Sequence, residues 1–125
     1  MCGRYELITE FKKLPALLKK DLPKDFSNNY AKQNLIKPTD PVLVLKNEGK
    51  TTTSIMLWGF ISEWSKDPFD KSRPKPFNAR AESVKTNKLF RGSWRHKRCL
   101  LPASGFIEKD YRISRKDSKP FWLAG

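Results

Sequence analysis

The stretch "PVLVLKNEGKTTTSIMLW", residues 41–58, constrains the fold more than any other part of the chain. A dense aliphatic run, "VLVLK", leads into a polar turn containing Asn47 and Gly49, and "TTTSIMLW", rich in β-branched residues, follows. Branched side chains suit a pleated strand, and Asn and Gly tolerate the backbone angles of a tight reversal, so the segment reads as a β-hairpin. A hairpin commits its two strands to antiparallel pairing. The last part, "RCLLPASGFIEKDYRISRKDSKPFWLAG", reads as further strands, broken at Pro102 and Gly105 and by a charged hairpin turn near Lys116 and Asp117.

Helical signals are short by comparison. Thr9 is placed to cap a helix through "EFKKL", and Pro15 then kinks it or starts a second turn through "PALLKK". "DLPKDFSNNYAKQN" is a polar, turn-rich surface connection, "SEWSKDPFDKSRPKP" is a proline-rich loop, and "ESVKTNKLFRGSW" reads as helical up to Gly92. The expectation is an α+β fold of mainly antiparallel sheets with short helices. At 125 residues, 38% hydrophobic and 12% aromatic, the chain holds one domain, residues 1–125, with one packed core. Arg4 and Glu6 stand where a signal peptide would be apolar, and no run approaches the ~20 apolar residues of a membrane span. An intracellular protein is expected, with Cys2 and Cys99 as reduced thiols.

Charge narrows the partner. The net charge is +13, and between Lys71 and Arg98 ten cations face Glu82 alone, giving 10 − 1 = +9 of that total. A basic block this dense points to a polyanion, most often nucleic acid, because neutralising phosphates releases counterions. A lysine-rich solvated surface is the competing explanation.

Candidate chemistry is sparse. Cys2, His96 and Cys99 are the only soft metal ligands, one short of a closed zinc site and without a CxxC pair, so no metal is expected. A Cys99/His96 nucleophile pair is disfavoured because "RCLLPA" reads as a buried strand, where a thiol acts as a small hydrophobe. "PFNARAES" offers an amide at Asn78 and a guanidinium at Arg80 that can hold a phosphate, and is otherwise an ordinary polar loop. Glu108 of "GFIEK" follows two apolar residues; it is either an acid/base whose pKa an apolar setting raises or the polar face of a strand. "MCGRY" places a cysteine directly behind Met1. Removal of that methionine would leave Cys2 with an amine and a thiol on adjacent carbons, able to condense with an aldehyde and close a ring.

"MCGR", "WGFISEW", "NARAES" and "RCLLPASGFIEK", in this order and spacing, closely resemble the SRAP family, the SOS-response-associated peptidase-like proteins that cross-link to abasic sites in single-stranded DNA. The resemblance runs from Met1 to about Phe121. It implies an open barrel-like core, single-stranded DNA bearing abasic sites as partner, and no cofactor. It also implies roles for individual residues. Cys2 matches the cross-linking nucleophile, exposed by removal of Met1 and closing a thiazolidine with the sugar aldehyde; the family's peptidase activity reflects that self-processing. Asn78 matches the residue that holds the amino-terminal end and the sugar, and Glu108 the acid/base that assists Schiff-base formation. Arg4 and Arg80 match backbone-gripping cations. Trp58 and Trp64 lie in the "WG…W" stretch, where stacking on bases and filling the core both remain open.

The departures from the family pattern are specific. A histidine in the family's second half has no counterpart, since the sequence ends at Gly125 and His96 lies upstream of "RCLLPASGF". "NNYAKQN" lacks a proline common after the tyrosine, and Lys109 stands where an aromatic is usual. The domain is therefore expected to be incomplete at its C-terminal end, with an exposed sheet edge inviting self-association. Two other functions stay open: a non-covalent nucleic-acid-binding module, and an inactive remnant.

Overall fold

A computed structural model describes residues 2–67, 70–72 and 75–125. Met1, Arg73 and two prolines of the basic loop, Pro68 and Pro74, which entered the sequence reading, lie outside the described residues. Among the described residues, eight strands form two antiparallel sheets. They are β1 (Arg4–Leu7), β2 (Gln33–Ile36), β3 (Pro41–Asn47), β4 (Thr51–Leu57), β5 (Cys99–Ala103), β6 (Gly105–Glu108), β7 (Tyr111–Ile113) and β8 (Phe121–Ala124). One sheet has the order β2-β1-β6-β7 and the other β4-β3-β5-β8. This is the antiparallel, open barrel-like α+β arrangement expected. The helices are short: a 3-10 turn at Phe11–Lys13, then α1 (Ala16–Lys19), α2 (Phe26–Asn29) and α3 (Arg91–His96).

The hairpin forms as read. Asn47 pairs with Thr51 across a three-residue loop, and Gly49 takes a φ of +84°, which a side chain would resist. Val42, Leu43, Val44 and Leu45 are all buried because β3 is an inner strand covered on both faces, which accounts for an apolar run without alternation. With Tyr5, Leu7, Leu14, Leu18, Ile36 and Ala103 they make the core.

Ser104 alone separates β5 from β6, so the chain passes there from one sheet to the other. Its backbone N–H donates to the Glu6 carbonyl at 2.8 Å. Its hydroxyl accepts from the Ile8 and Thr9 amides at 3.0 and 3.1 Å and pairs with Thr9 Oγ1 at 2.8 Å. Thr9 is thus spent on the sheet junction, and the 3-10 turn begins after Glu10 without a side-chain cap, contrary to the expected role of Thr9.

Other local readings are corrected. Pro102 does not break its strand: it is buried within β5, opposite Trp122. The turn near Lys116 and Asp117 closes no hairpin, because β7 pairs with β6 and β8 with β5, and the turn carries the chain between sheets. The tight hairpin is Glu108–Tyr111, with Lys109 at a φ of +53°. Residues 81–86 and 88–90 are successive turns, and the helix begins at Arg91 and runs through Gly92. The polar connection after Leu22 contains α2 and, from Gln33, β2.

Candidate functional site

The site grows from the start of β1. Cys2 is half-buried just ahead of the strand, its Sγ donating to the Arg4 carbonyl at 3.0 Å and its own carbonyl accepting from Asn78 Nδ2 at 2.6 Å. Residues 76 positions apart thus meet two residues ahead of β1. Phe77, just before Asn78, lies over Gly3, its ring 3.9 Å from where a β-carbon would stand.

Trp58 holds this second segment in place. Its indole N–H donates to the Phe77 carbonyl at 3.1 Å, and its ring meets Tyr5 and Phe77 edge-on, with centroids 5.3 and 6.1 Å away. The Phe60 amide adds a bond to the Pro76 carbonyl at 2.9 Å. Tyr5 is buried in the core, and that burial, with the Asp40 carboxylate adding to it, pushes its phenol well above the usual tyrosine range. Trp58 therefore packs against the core, whereas Trp64 is 58% exposed in a shallow depression with Phe60, Lys75, Pro76 and Leu89.

Glu108 arrives from the neighbouring strand. The β1–β6 ladder pairs Arg4 with Ile107 and Tyr5 with Phe106, so one further step brings Glu108 level with Gly3. Alternation puts Glu108 on the same face as Phe106 and Tyr5, half-buried at the end of β6. Arg4 Nη2 donates to the Lys109 carbonyl at 2.8 Å and closes the outer side. Arg80, two residues past Asn78, is exposed, and its carbonyl accepts from the Ser83 and Val84 amides where the run of turns begins.

Cys2, Asn78, Glu108 and Arg4 thus gather around one end of β1 with Trp58 behind them, while Arg80 is exposed two residues past Asn78 and Trp64 lines the depression that includes Pro76. His96 lies exposed on α3, and Cys99, on β5, touches Gly125. Burial raises the Cys99 thiol pKa, partly offset by Arg98. One neighbour of the site and one buried ion pair outside it were not legible in the sequence. Phe77 stood next to Asn78 with no signal beyond its aromaticity. Glu6 is a buried carboxylate on the opposite face of β1, ion-paired with Arg112, whose Nε donates to Glu6 Oε1 at 2.7 Å.

The comparisons with known proteins decide the family. The family model for SOS response associated peptidase (SRAP) matches residues 1–125. The chain belongs to the SRAP family. Among SRAP relatives, it is 33% identical to the Bacillus subtilis (strain 168) abasic site processing protein YoqW over 137 residues, covering 100% of this chain and 59% of that protein. It is 28% identical to the Saccharomyces cerevisiae abasic site processing protein YMR114C, covering 43% of it, and 26% identical to the Escherichia coli protein YedK, covering 58%. The chain therefore spans roughly half of these relatives. Crystal structures of proteins from Bordetella bronchiseptica and Bacteroides thetaiotaomicron share the fold, with TM-scores of 0.70 and 0.69 at 19% and 18% identity. Each covers 98% of this chain, which in turn covers 62% and 58% of them. Among the described residues, no helix is long and apolar enough to cross a membrane.

Proposed function

We propose that this SRAP chain captures abasic sites in single-stranded DNA as a covalent thiazolidine on Cys2, once Met1 has been removed. The observation that carries the reading is the 2.6 Å bond from Asn78 to the Cys2 carbonyl, which holds the residue behind the initiator methionine by its main chain. The names of the relatives, abasic site processing proteins, supply the substrate.

The chemistry balances without a redox partner. The Cys2 amine adds to the ring-opened sugar aldehyde, and loss of one water gives an imine. The thiol then adds across the C=N bond, and its proton ends on the ring nitrogen. Glu108 is the acid/base for the amine and the departing hydroxyl, and Asn78 and Arg80 orient the sugar and its flanking phosphate. Prior positioning of aminothiol and aldehyde supplies most of the rate.

Electrostatics brings the strand in. Lys88, Arg91 and Arg95 are exposed at helix-like spacing, and among the described residues none has a carboxylate partner within ion-pair distance. Trp94 is flanked by Arg98 at 3.8 Å and Lys85 at 5.6 Å, so its ring is covered by cations and the ridge reads phosphates. Each phosphate neutralised contributes about −0.7 to the salt slope. The site of action is intracellular DNA. Self-association through edge strand β4, where Ile55, Met56 and Leu57 are exposed, is opposed by the +13 charge and is therefore promoted by salt.

The test uses untagged protein whose mature amino terminus is verified by mass spectrometry, incubated with single-stranded DNA containing one abasic site. A denaturation-resistant adduct mapping to Cys2 is expected, and Cys2→Ala abolishes it while salt-sensitive DNA binding remains. DNA binding without adduct in the wild type favours a non-covalent module, and an adduct that survives Cys2→Ala removes the mechanism.

A further inference from the structure

We infer that Trp58 is a positioning residue for capture, acting through a hydrogen bond to the peptide plane that carries Asn78. The inference rests on the capture reading only for its consequence in rate; the positioning itself is a property of the fold.

The Phe77 carbonyl that receives the indole N–H, at 3.1 Å, belongs to the same planar peptide unit as the Asn78 nitrogen. Fixing that oxygen fixes the orientation from which the Asn78 side chain departs. The donor is itself anchored, because the Trp58 ring rests edge-on against Tyr5, a core residue of β1. Tyr5 and Cys2 lie three residues apart along the same stretch of chain. Trp58 thus sets the distance between the Asn78 segment and the chain leading into β1, where Asn78 grips the Cys2 carbonyl at 2.6 Å.

The second tether does not duplicate this role. The Phe60 amide holds the Pro76 carbonyl, one peptide unit earlier, and leaves the plane between Phe77 and Asn78 free to turn. Packing alone does not duplicate it either. Phe77 is 43% exposed, so its ring over Gly3 is weakly confined, and a directional bond is what sets the rotation about the chain. A small displacement here reaches the chemistry: an error of about 1 Å in a reacting group costs as much as 100-fold in rate.

Trp58→Phe removes the N–H and keeps an aromatic ring; β-(3-benzothienyl)alanine at position 58 keeps the indole shape and replaces the N–H with sulfur. Both are made in the full chain, and thermal melts monitor folding. The first measurement is the Asn78 side-chain amide in a 15N-labelled protein, assigned by its loss in Asn78→Asp, with Asn47 as internal reference. The wild-type Asn78 amide exchanges slowly. Loss of the Trp58 donor accelerates its exchange several-fold, and the Asn47 amide is unchanged. The second measurement is single-turnover adduct formation at saturating abasic DNA. The rate falls about tenfold in either variant with DNA affinity unchanged, and the effect disappears in an Asn78→Ala background.

Unchanged Asn78 exchange in the benzothienyl variant overturns the inference, as does a rate defect that persists in full without Asn78. If wild-type protein forms no adduct, the capture reading falls, and the amide exchange still decides whether Trp58 positions Asn78.

Discussion

Ser104→Ala tests how the two sheets are joined. The substitution removes one oxygen and with it three interactions: acceptance from the Ile8 and Thr9 amides and the pairing with Thr9 Oγ1. At about 0.5–1.5 kcal/mol net for each neutral hydrogen bond, the three together reach at most about 4.5 kcal/mol. Ile8, Thr9 and Ser104 also line an open cavity, however, so water can take over part of the amide solvation. A loss of about 2 kcal/mol is expected. For a chain of 125 residues that corresponds to a fall in Tm of about 6–10 °C. Denaturant titration should move the midpoint with the slope unchanged, since the folded and unfolded surfaces stay the same. Thr9→Val removes only the hydroxyl pair and should cost about 0.5–1 kcal/mol. Ser104→Ala within about 0.5 kcal/mol of wild type, or Thr9→Val as damaging as Ser104→Ala, would refute the proposed role of this junction.

Three further outcomes are open to measurement. Gly105→Ala places a methyl 2.9 Å from Glu6 Oε1 and 3.1 Å from the Ile113 carbonyl, so it should destabilise by about 1–3 kcal/mol in urea titration, with relief when Glu6 is also shortened to Ala. Tyr5 has a folded pKa raised above its ordinary 10.0, so the stability it contributes is present in full below pH 10 and is lost as pH rises beyond it; Tyr5→Phe should flatten that alkaline decline in equilibrium unfolding. Burial raises the Cys99 thiol pKa and lowers its thiolate fraction, so iodoacetamide at pH 8 should label Cys99 more slowly than a free cysteine, with the gap narrowing in denaturant.

The sequence was most legible where chemistry and backbone pattern coincided. The β3–β4 hairpin was readable because a branched, apolar run and a glycine turn agree locally. β1 was harder: "RYEL" alternates polar and apolar residues, as a half-buried strand should, but four residues give too little periodicity to separate it from a loop. The exchange of strands between sheets at Ser104 was hidden, because nothing local distinguishes a serine at a bend from one that binds two distant amides. The turn at Lys116 and Asp117 misled for a related reason. Its composition marks a reversal, but whether the flanking strands pair depends on partners elsewhere in the chain. The candidates Cys2, Asn78 and Glu108 were named from their motifs, whereas the link from Trp58 to Asn78 depends on a backbone carbonyl that no residue identity reveals.

The grip on Cys2 has a consequence for how the site can be dissected. Asn78 holds the carbonyl of residue 2, an atom every amino acid possesses, whereas the proposed reactivity resides in the amine and the sulfur. Anchorage and reactivity are thus written into different atoms of one residue. Serine or alanine at position 2 should stop ring closure on the thiol while leaving the strand docked, which separates anchorage from the thiazolidine step. An extra residue left in front of position 2 should do the same by blocking the amine while sparing both the thiol and the anchor.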